Sequence, residues 1–165
     1  IARLLKSKWQ QPAFQDGLAE YGSLTTLELE AAARLVGALY ATMDRFDLFR
    51  DLSLLYFAAA SYSETVRRLG KPHLADSFLL CRHPVFGTQL RQFCEALNNP
   101  LSANEAGQLS ENIRAAIKPF DVAGLTDRSR HHWYPAQTSD LFTNAAKVEA
   151  NADEIQAMLK RCGLS

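Results

Sequence analysis

The most distinctive hydrophobic pattern of the chain lies in residues 55–64, where apolar and small side chains follow one another with little polar interruption. A helix with this pattern is apolar around its whole circumference, which is typical of a helix buried in a core. Gly70 offers the left-handed residue that ends many helices, and Pro72 prevents continuation. The pattern therefore predicts a central helix over residues 47–69, with the Phe57 ring buried.

Capping patterns and apolar stripes predict further helices on both sides of the central one. Residues 25–28 (TTLE) form a potential capping box. The residues after it that share one helical face are Leu29, Ala32, Val36, Leu39, Tyr40 and Met43. The stripe that follows Pro84 consists of Phe86, Leu90, Phe93, Cys94 and Leu97.

Two more capping patterns, at residues 102–105 (SANE) and 151–154 (NADE), predict helices nearer the C-terminus. No segment alternates between apolar and polar residues for long enough to indicate a strand. The sequence therefore predicts an all-α fold: a single helical domain over residues 1–165, with about six or seven helices around the central apolar helix.

The charge balance argues against two classes of partner. The 165 residues carry 18 basic and 18 acidic side chains, so the net charge is zero. A nucleic-acid-binding surface, or a patch that docks on anionic lipid, needs an excess of basic residues. No uncharged apolar run approaches the roughly 18 residues of a membrane span. We therefore expect neither nucleic acid nor a membrane as a partner.

The cysteines indicate the compartment of the chain, and the first residues indicate that it belongs to a longer polypeptide. Cys81, Cys94 and Cys162 are odd in number and form no C-x-x-C pair. They are typical of free thiols in a reducing compartment, so we expect a cytoplasmic protein. An apolar pattern already runs at Ile1, without an initiator Met, which favours the C-terminal part of a longer polypeptide.

The usual motifs of catalysis, metal binding and cofactor binding are absent from the sequence. The eight glycines are scattered singly, with no G-x-G-x-x-G, so we expect no dinucleotide held by a glycine turn. Cys94 lies on an apolar stripe, which favours a core thiol over an activated one. Neither Cys81 with His83 nor the adjacent His131 and His132 have the spacing of a metal site. We predict no catalytic residue, no metal and no cofactor in this chain itself.

Residues 127–135 concentrate polar and aromatic side chains in a stretch without helical periodicity. Two guanidinium groups, two imidazoles and two large rings could grip an aromatic or anionic ligand, or contact a neighbouring domain. Aromatic rings in a long loop can equally fold back over the core of their own domain. The candidate contacts for a substrate or a neighbouring domain are Arg128, Arg130, His131, His132, Trp133 and Tyr134.

Three stretches together resemble the C-terminal region of FAD-dependent halogenases and their halogenase-like oxidoreductase relatives. They are residues 55–64 (LYFAAASYSE), residues 78–80 with 83–87 (FLL and HPVFG), and residues 117–127 with 133–135 (IKPFDVAGLTD and WYP). In that family an N-terminal flavin-binding domain holds FAD and carries the catalytic lysine. The resemblance implies that this chain is the helical part that packs on the flavin domain and helps to wall the substrate cavity.

Two functional hypotheses follow. In the first, the chain is a non-catalytic helical module of a flavin-dependent oxidoreductase or halogenase, in which FAD belongs to the parent protein. Its partners are then the flavin-binding domain and an aromatic small molecule as substrate. In the second, it is a free-standing helical module that binds a small ligand or another protein. If a surface for the flavin domain is left uncovered, self-association is expected.

Overall fold

The computed structural model describes residues 11–127, 129 and 137–164. Six α-helices account for most of this part of the chain: α1 (Pro12–Ala41), α2 (Phe46–Leu69), α3 (Phe86–Ala96), α4 (Ala103–Ile117), α5 (Thr138–Thr143) and α6 (Ala152–Arg161). Short 3-10 turns lie between them, at Pro72–Leu74, Phe78–Leu80, Lys118–Phe120 and Ala145–Val148. The described residues contain no strand, and the prediction of an all-α fold is confirmed.

Helix α2 lies at the centre of the fold, as its apolar pattern predicts. It packs most extensively on α4 and also contacts α1, α6 and several of the 3-10 turns. Leu52, Leu55, Ala58 and Val66 are among its buried residues. Gly70 ends the helix with φ 76° and ψ 24°, so the predicted left-handed cap is confirmed.

The α2 helix is not covered around its whole circumference. Phe57 is only half-buried, and Tyr56 beside it is exposed, so the expectation of a buried Phe57 is wrong. The two rings stack edge to face on the surface side of the helix, with centroids 5.4 Å apart. Their contact shields part of each ring from water.

A buried charge network fixes α2 against α4. The Asp51 carboxylate on α2 is fully buried. It accepts a hydrogen bond from the Ser110 hydroxyl and lies 2.9 Å from the Arg114 guanidinium, both on α4. Arg50, its neighbour on α2, approaches the same carboxylate at 3.0 Å. Because removing one partner would leave a buried charge uncompensated, this network ties the two helices in one register.

Two of the predicted capping boxes are present. Ser102 accepts from the Glu105 backbone N–H, while the Glu105 carboxylate accepts from the Ser102 backbone N–H at 2.8 Å. Asn151 and Glu154 make the equivalent pair at the start of α6. The buried stripe of α3 is also as predicted for Phe86, Leu90, Phe93 and Cys94.

The third predicted capping box is wrong. Helix α1 begins at Pro12, so Thr25 lies in the middle of a 30-residue helix and caps nothing. Proline suits the first position of a helix because its missing N–H is not needed there. The Glu28 carboxylate instead accepts a hydrogen bond from the backbone N–H of Phe78, at 2.6 Å.

Helix α1 has two apolar sides. Leu35 and Ala38 face the core and are buried. The stripe that follows residue 28 lies largely on the other side: Leu29 is 68%, Val36 49%, Tyr40 72% and Met43 65% exposed. This face is therefore a large apolar surface on the outside of the domain.

Candidate functional site

The six candidate contact residues, Arg128 and residues 130–134, lie outside the described residues. The structure does describe both ends of the segment that carries them. The first end consists of residues 121–127, which follow α4, and the second end is Gln137, the residue just before α5. The geometry of these two ends determines where the candidate segment leaves and rejoins the domain.

A buried aspartate organises the first end. One oxygen of the Asp121 carboxylate accepts from the Leu125 backbone N–H at 2.7 Å. The other accepts from the Thr126 backbone N–H at 2.8 Å and from the Thr126 hydroxyl at 2.6 Å. Three donors on one carboxylate hold residues 121–126 as a closed turn, because these hydrogen bonds replace the ones that the buried side chain would otherwise make with water.

The chain after α5 contacts the chain after α4. The Lys147 ammonium donates to the backbone carbonyl of Asp121 at 2.7 Å, and the Asn144 amide donates to that of Val122 at 3.5 Å. Burial lowers the pKa of the Lys147 ammonium, although Asp121 opposes this change. Residues 121–122, before the candidate segment, and residues 144–147, after it, are therefore held together.

An aromatic cluster lies directly before this point. The Phe120 ring makes edge-to-face contacts with Tyr62 at 5.2 Å, His83 at 4.9 Å and Phe86 at 4.9 Å between centroids. Burial raises the pKa of the Tyr62 hydroxyl, with a smaller contribution from Glu149. The three stretches quoted above for their resemblance thus meet around one ring, although they are far apart in the sequence.

A strained turn supports the same cluster. Leu79 and Leu80 are both buried, with φ of 54° and 51°, a left-handed conformation that costs a leucine about 1–3 kcal/mol. A Cβ at Gly87 would lie 2.2 Å from the Cys81 carbonyl oxygen, so only glycine allows the turn to approach α3 this closely. The sequence shows the single Gly87 but gives no sign of the backbone that approaches it.

The role of His83 was also missed at the level of sequence. Its Nδ1 atom accepts from the backbone N–H of Val85 at 3.3 Å and of Phe86 at 3.2 Å. These donors belong to the first turn of α3, so His83 caps the start of that helix. His83 therefore serves as a helix cap, and Cys81 belongs to the turn before it.

A shallow cleft lies between α1, the strained turn and α3. It has a volume of about 50 Å³ and is lined by apolar residues together with Glu30, Arg34, Arg91, Cys81 and Cys94. This volume holds a few water molecules. Burial raises the pKa of the Cys94 thiol to about 11, so the thiol is protonated at neutral pH and is a poor nucleophile.

Within residues 11–127, 129 and 137–164, no group of three or more His, Cys, Asp or Glu side chains is placed to hold a metal ion. In the same part of the chain, none of the helices combines the length and the apolar character needed to cross a membrane. The three cysteines are all free thiols.

Comparisons with known proteins give no relative. No protein-family model, no curated protein and no solved structure matches this chain.

Proposed function

We propose that this chain is a non-catalytic helical module of a halogenase-like, FAD-dependent oxidoreductase. In this role it packs against the flavin-binding domain of the parent protein and covers the substrate cavity with residues 128–134. FAD is held by the flavin domain, and the substrate is an aromatic small molecule. The free state of the three cysteines supports a reducing, cytoplasmic setting.

The observation that supports the proposal is the contact between the parts of the chain before and after the candidate segment. Lys147 and Asn144, after α5, bind the main chain of Asp121 and Val122, after α4. Binding residues in proteins are often presented on loops that a rigid scaffold positions. These contacts and the packed Phe120 cluster provide such a scaffold beside the segment.

The composition of the segment supports an aromatic or anionic ligand. Arg128 and Arg130 offer planar guanidinium groups that stack on rings and pair with carboxylates. Trp133 and Tyr134 offer large apolar surfaces with a polar edge. The alternative is a ligand held between helices, and the cleft beside Cys94 is far too small to hold a typical organic ligand.

The test uses the full natural polypeptide that contains this chain. Its flavin content is measured by absorbance after gel filtration, and substrate turnover is followed with an aromatic substrate such as free tryptophan or a phenol. We expect bound FAD in the wild type. In the double variant Arg128→Ala/Arg130→Ala we expect unchanged FAD content and a KM that is raised about tenfold, since one lost contact of this kind is worth about 1.4 kcal/mol.

Arg82→Ala is the matched control, because this arginine is exposed and pairs with Asp76. It should leave both FAD content and KM unchanged. A full polypeptide without FAD would overturn the proposed parent activity. An unchanged KM in the double variant, with FAD present, would overturn the role of the segment.

A further inference from the structure

The outer face of α1 follows a heptad repeat. Positions four and three residues apart alternate along it from Leu18 to Leu39, and Met43 continues the spacing in the turn after the helix. The residues at these positions, here called the α1 seam, are Leu18, Gly22, Thr25, Leu29, Ala32, Val36, Leu39 and Met43. Six of the eight are exposed, and only Ala32 and Leu39 are partly covered by the core.

The seam carries no charged residue. Asp16, Glu20, Glu30 and Arg34 lie on other sides of the helix at 100° per residue. Glu28, at the margin of the seam, is engaged by the Phe78 backbone N–H. An uncharged apolar strip of this length on the surface is typical of a site that another helix covers.

The small residues of the seam lie mainly in its first half and the large residues mainly in its second half, which fits a second copy that runs antiparallel. When two α1 helices run antiparallel, each first heptad position faces a fourth position of the partner. With the centre between residues 30 and 31, Leu29 faces Ala32, Val36 faces Thr25, and Leu39 faces Gly22. At each end of the pair, Met43 of one copy faces Leu18 of the other. Each inner layer thus combines one large and one small side chain.

A parallel pair does not combine one large and one small side chain in each layer. It would place Gly22 on Gly22 and Ala32 on Ala32, leaving gaps, and would bring Leu29 onto Leu29. Close packing favours layers of even volume. The space above Gly22 is open, with no atom within 4 Å of a Cβ built there, so Leu39 of a second copy can enter it.

Tyr40 adds a contact beside the seam. Its side chain is the most exposed large apolar group on α1. In the antiparallel pair it comes to lie over Ala19 of the second copy, again a large residue against a small one. A tyrosine in such a position buries its ring and keeps its hydroxyl in water.

We propose that the α1 seam binds a second copy of this chain, as an antiparallel helix pair about a twofold axis near residues 30 and 31. The helical part of the seam, from Leu18 to Leu39, is about 32 Å long at 1.5 Å per residue. A strip of this length and one helix in width buries less than the roughly 800 Å² per partner of a standard interface. We therefore expect a weak and reversible dimer.

Sedimentation velocity over about three decades of concentration measures the association directly. We expect a reversible monomer–dimer equilibrium for the wild type. The double variant Leu29→Glu/Val36→Glu should weaken it by at least about a hundredfold, because it places like charges in the centre of the interface. Val85→Glu is the matched control, since Val85 is 57% exposed on another surface and should leave the dimer intact. Circular dichroism verifies that all variants fold.

Cysteine crosslinking determines the direction of the pair. In a background with Cys81→Ser and Cys162→Ser, one tagged copy carries Thr25→Cys and an untagged copy carries Val36→Cys. The antiparallel register predicts mixed crosslinks between these copies and few crosslinks within each kind. Crosslinks of Thr25→Cys with itself and of Val36→Cys with itself would instead indicate a parallel pair and overturn the proposal.

Two other outcomes would also overturn it. One is a monomer at every concentration, with the folded state intact. The other is a full polypeptide in which a further domain covers the seam. The full polypeptide would then be a monomer, and Leu29→Glu/Val36→Glu would lower its thermal midpoint without changing its oligomeric state. Neither outcome affects the flavin content or the KM that test the proposed function.

Discussion

The Lys147 ammonium and the Asp121 backbone carbonyl lie 2.7 Å apart and join two parts of the chain that are 26 residues apart in sequence. The Asp121 side chain meanwhile holds the turn that follows it. One residue thus connects the end of α4 with the region after α5 through its main chain and holds the turn at residues 121–126 through its side chain. The two functions of Asp121 can be separated by mutation.

Replacing Asp121 by Ala should release the turn and leave the Lys147 contact in place, because Lys147 binds the main-chain oxygen. The Leu125 and Thr126 N–H groups would lose their acceptor in a half-buried site. We expect the free energy of unfolding to fall by about 2–3 kcal/mol in urea melts. Hydrogen exchange should become fast at these two amides.

Asp44→Ala is the control for this change, because Asp44 is exposed and lies in the turn between α1 and α2. It should alter the free energy of unfolding by less than about 0.5 kcal/mol. If Asp121→Ala were equally silent, the carboxylate would not be what holds residues 121–126.

The Asp51 network allows a double-mutant cycle. Asp51→Leu alone leaves the Arg114 guanidinium beside an apolar group, and we expect a loss of about 3 kcal/mol in the free energy of unfolding. Adding Arg114→Met removes that charge and should recover most of the loss, since an apolar pair of similar volume can replace an ion pair. Chemical denaturation of the four proteins gives the coupling energy. Losses that simply add would mean that the two charges act independently.

Stability should fall at alkaline pH because of Cys94. Burial raises its pKa from the usual 9.0 to about 11, so the folded chain keeps a proton that the unfolded chain releases earlier. The contribution is fully present below about pH 9 and is lost as the pH rises towards about 11. The stability difference between wild type and Cys94→Ala should therefore shrink by up to about 2 kcal/mol over that range. Urea melts at several pH values test this, and a constant difference would contradict it.

The sequence predicts those parts of the fold that depend on local signals. Gly70 ends α2, and Ser102 and Asn151 begin α4 and α6, because each cap needs only residues within one turn. The start of α1 was missed because Thr25 and Glu28 have the residue types of a capping box while the chain before them is also helical. A local pattern cannot distinguish the start of a helix from its interior when the preceding segment contains weak helix formers such as Gly22.

Periodicity also cannot tell which apolar side of a helix faces the core. Helix α1 has one such side with Leu35 and Ala38 and another with Val36 and Tyr40, and only the packing of α2 and α3 determines which is buried. The same limit applies to the candidate site. The contacts of Lys147 with Asp121 and of His83 with Phe120 join distant parts of the sequence, and no local pattern encodes them.

Two glycines should respond in opposite ways to the same substitution. A Cβ at Gly87 would lie 2.2 Å from the Cys81 carbonyl oxygen and 2.7 Å from its carbon, both main-chain atoms of the strained turn. Gly87→Ala must therefore move the turn away from α3, and we expect a loss of about 2–3 kcal/mol in the free energy of unfolding.

Gly107 in α4 is the matched control, because nothing lies within 4 Å of a Cβ built there. Alanine restricts the unfolded chain and suits a helix, so Gly107→Ala should raise the free energy of unfolding by about 0.5–1 kcal/mol. Urea melts of the two variants give both signs from one type of measurement. A neutral Gly87→Ala would show that the turn at Leu79 and Leu80 adapts freely, and its left-handed leucines would then not depend on close contact with α3.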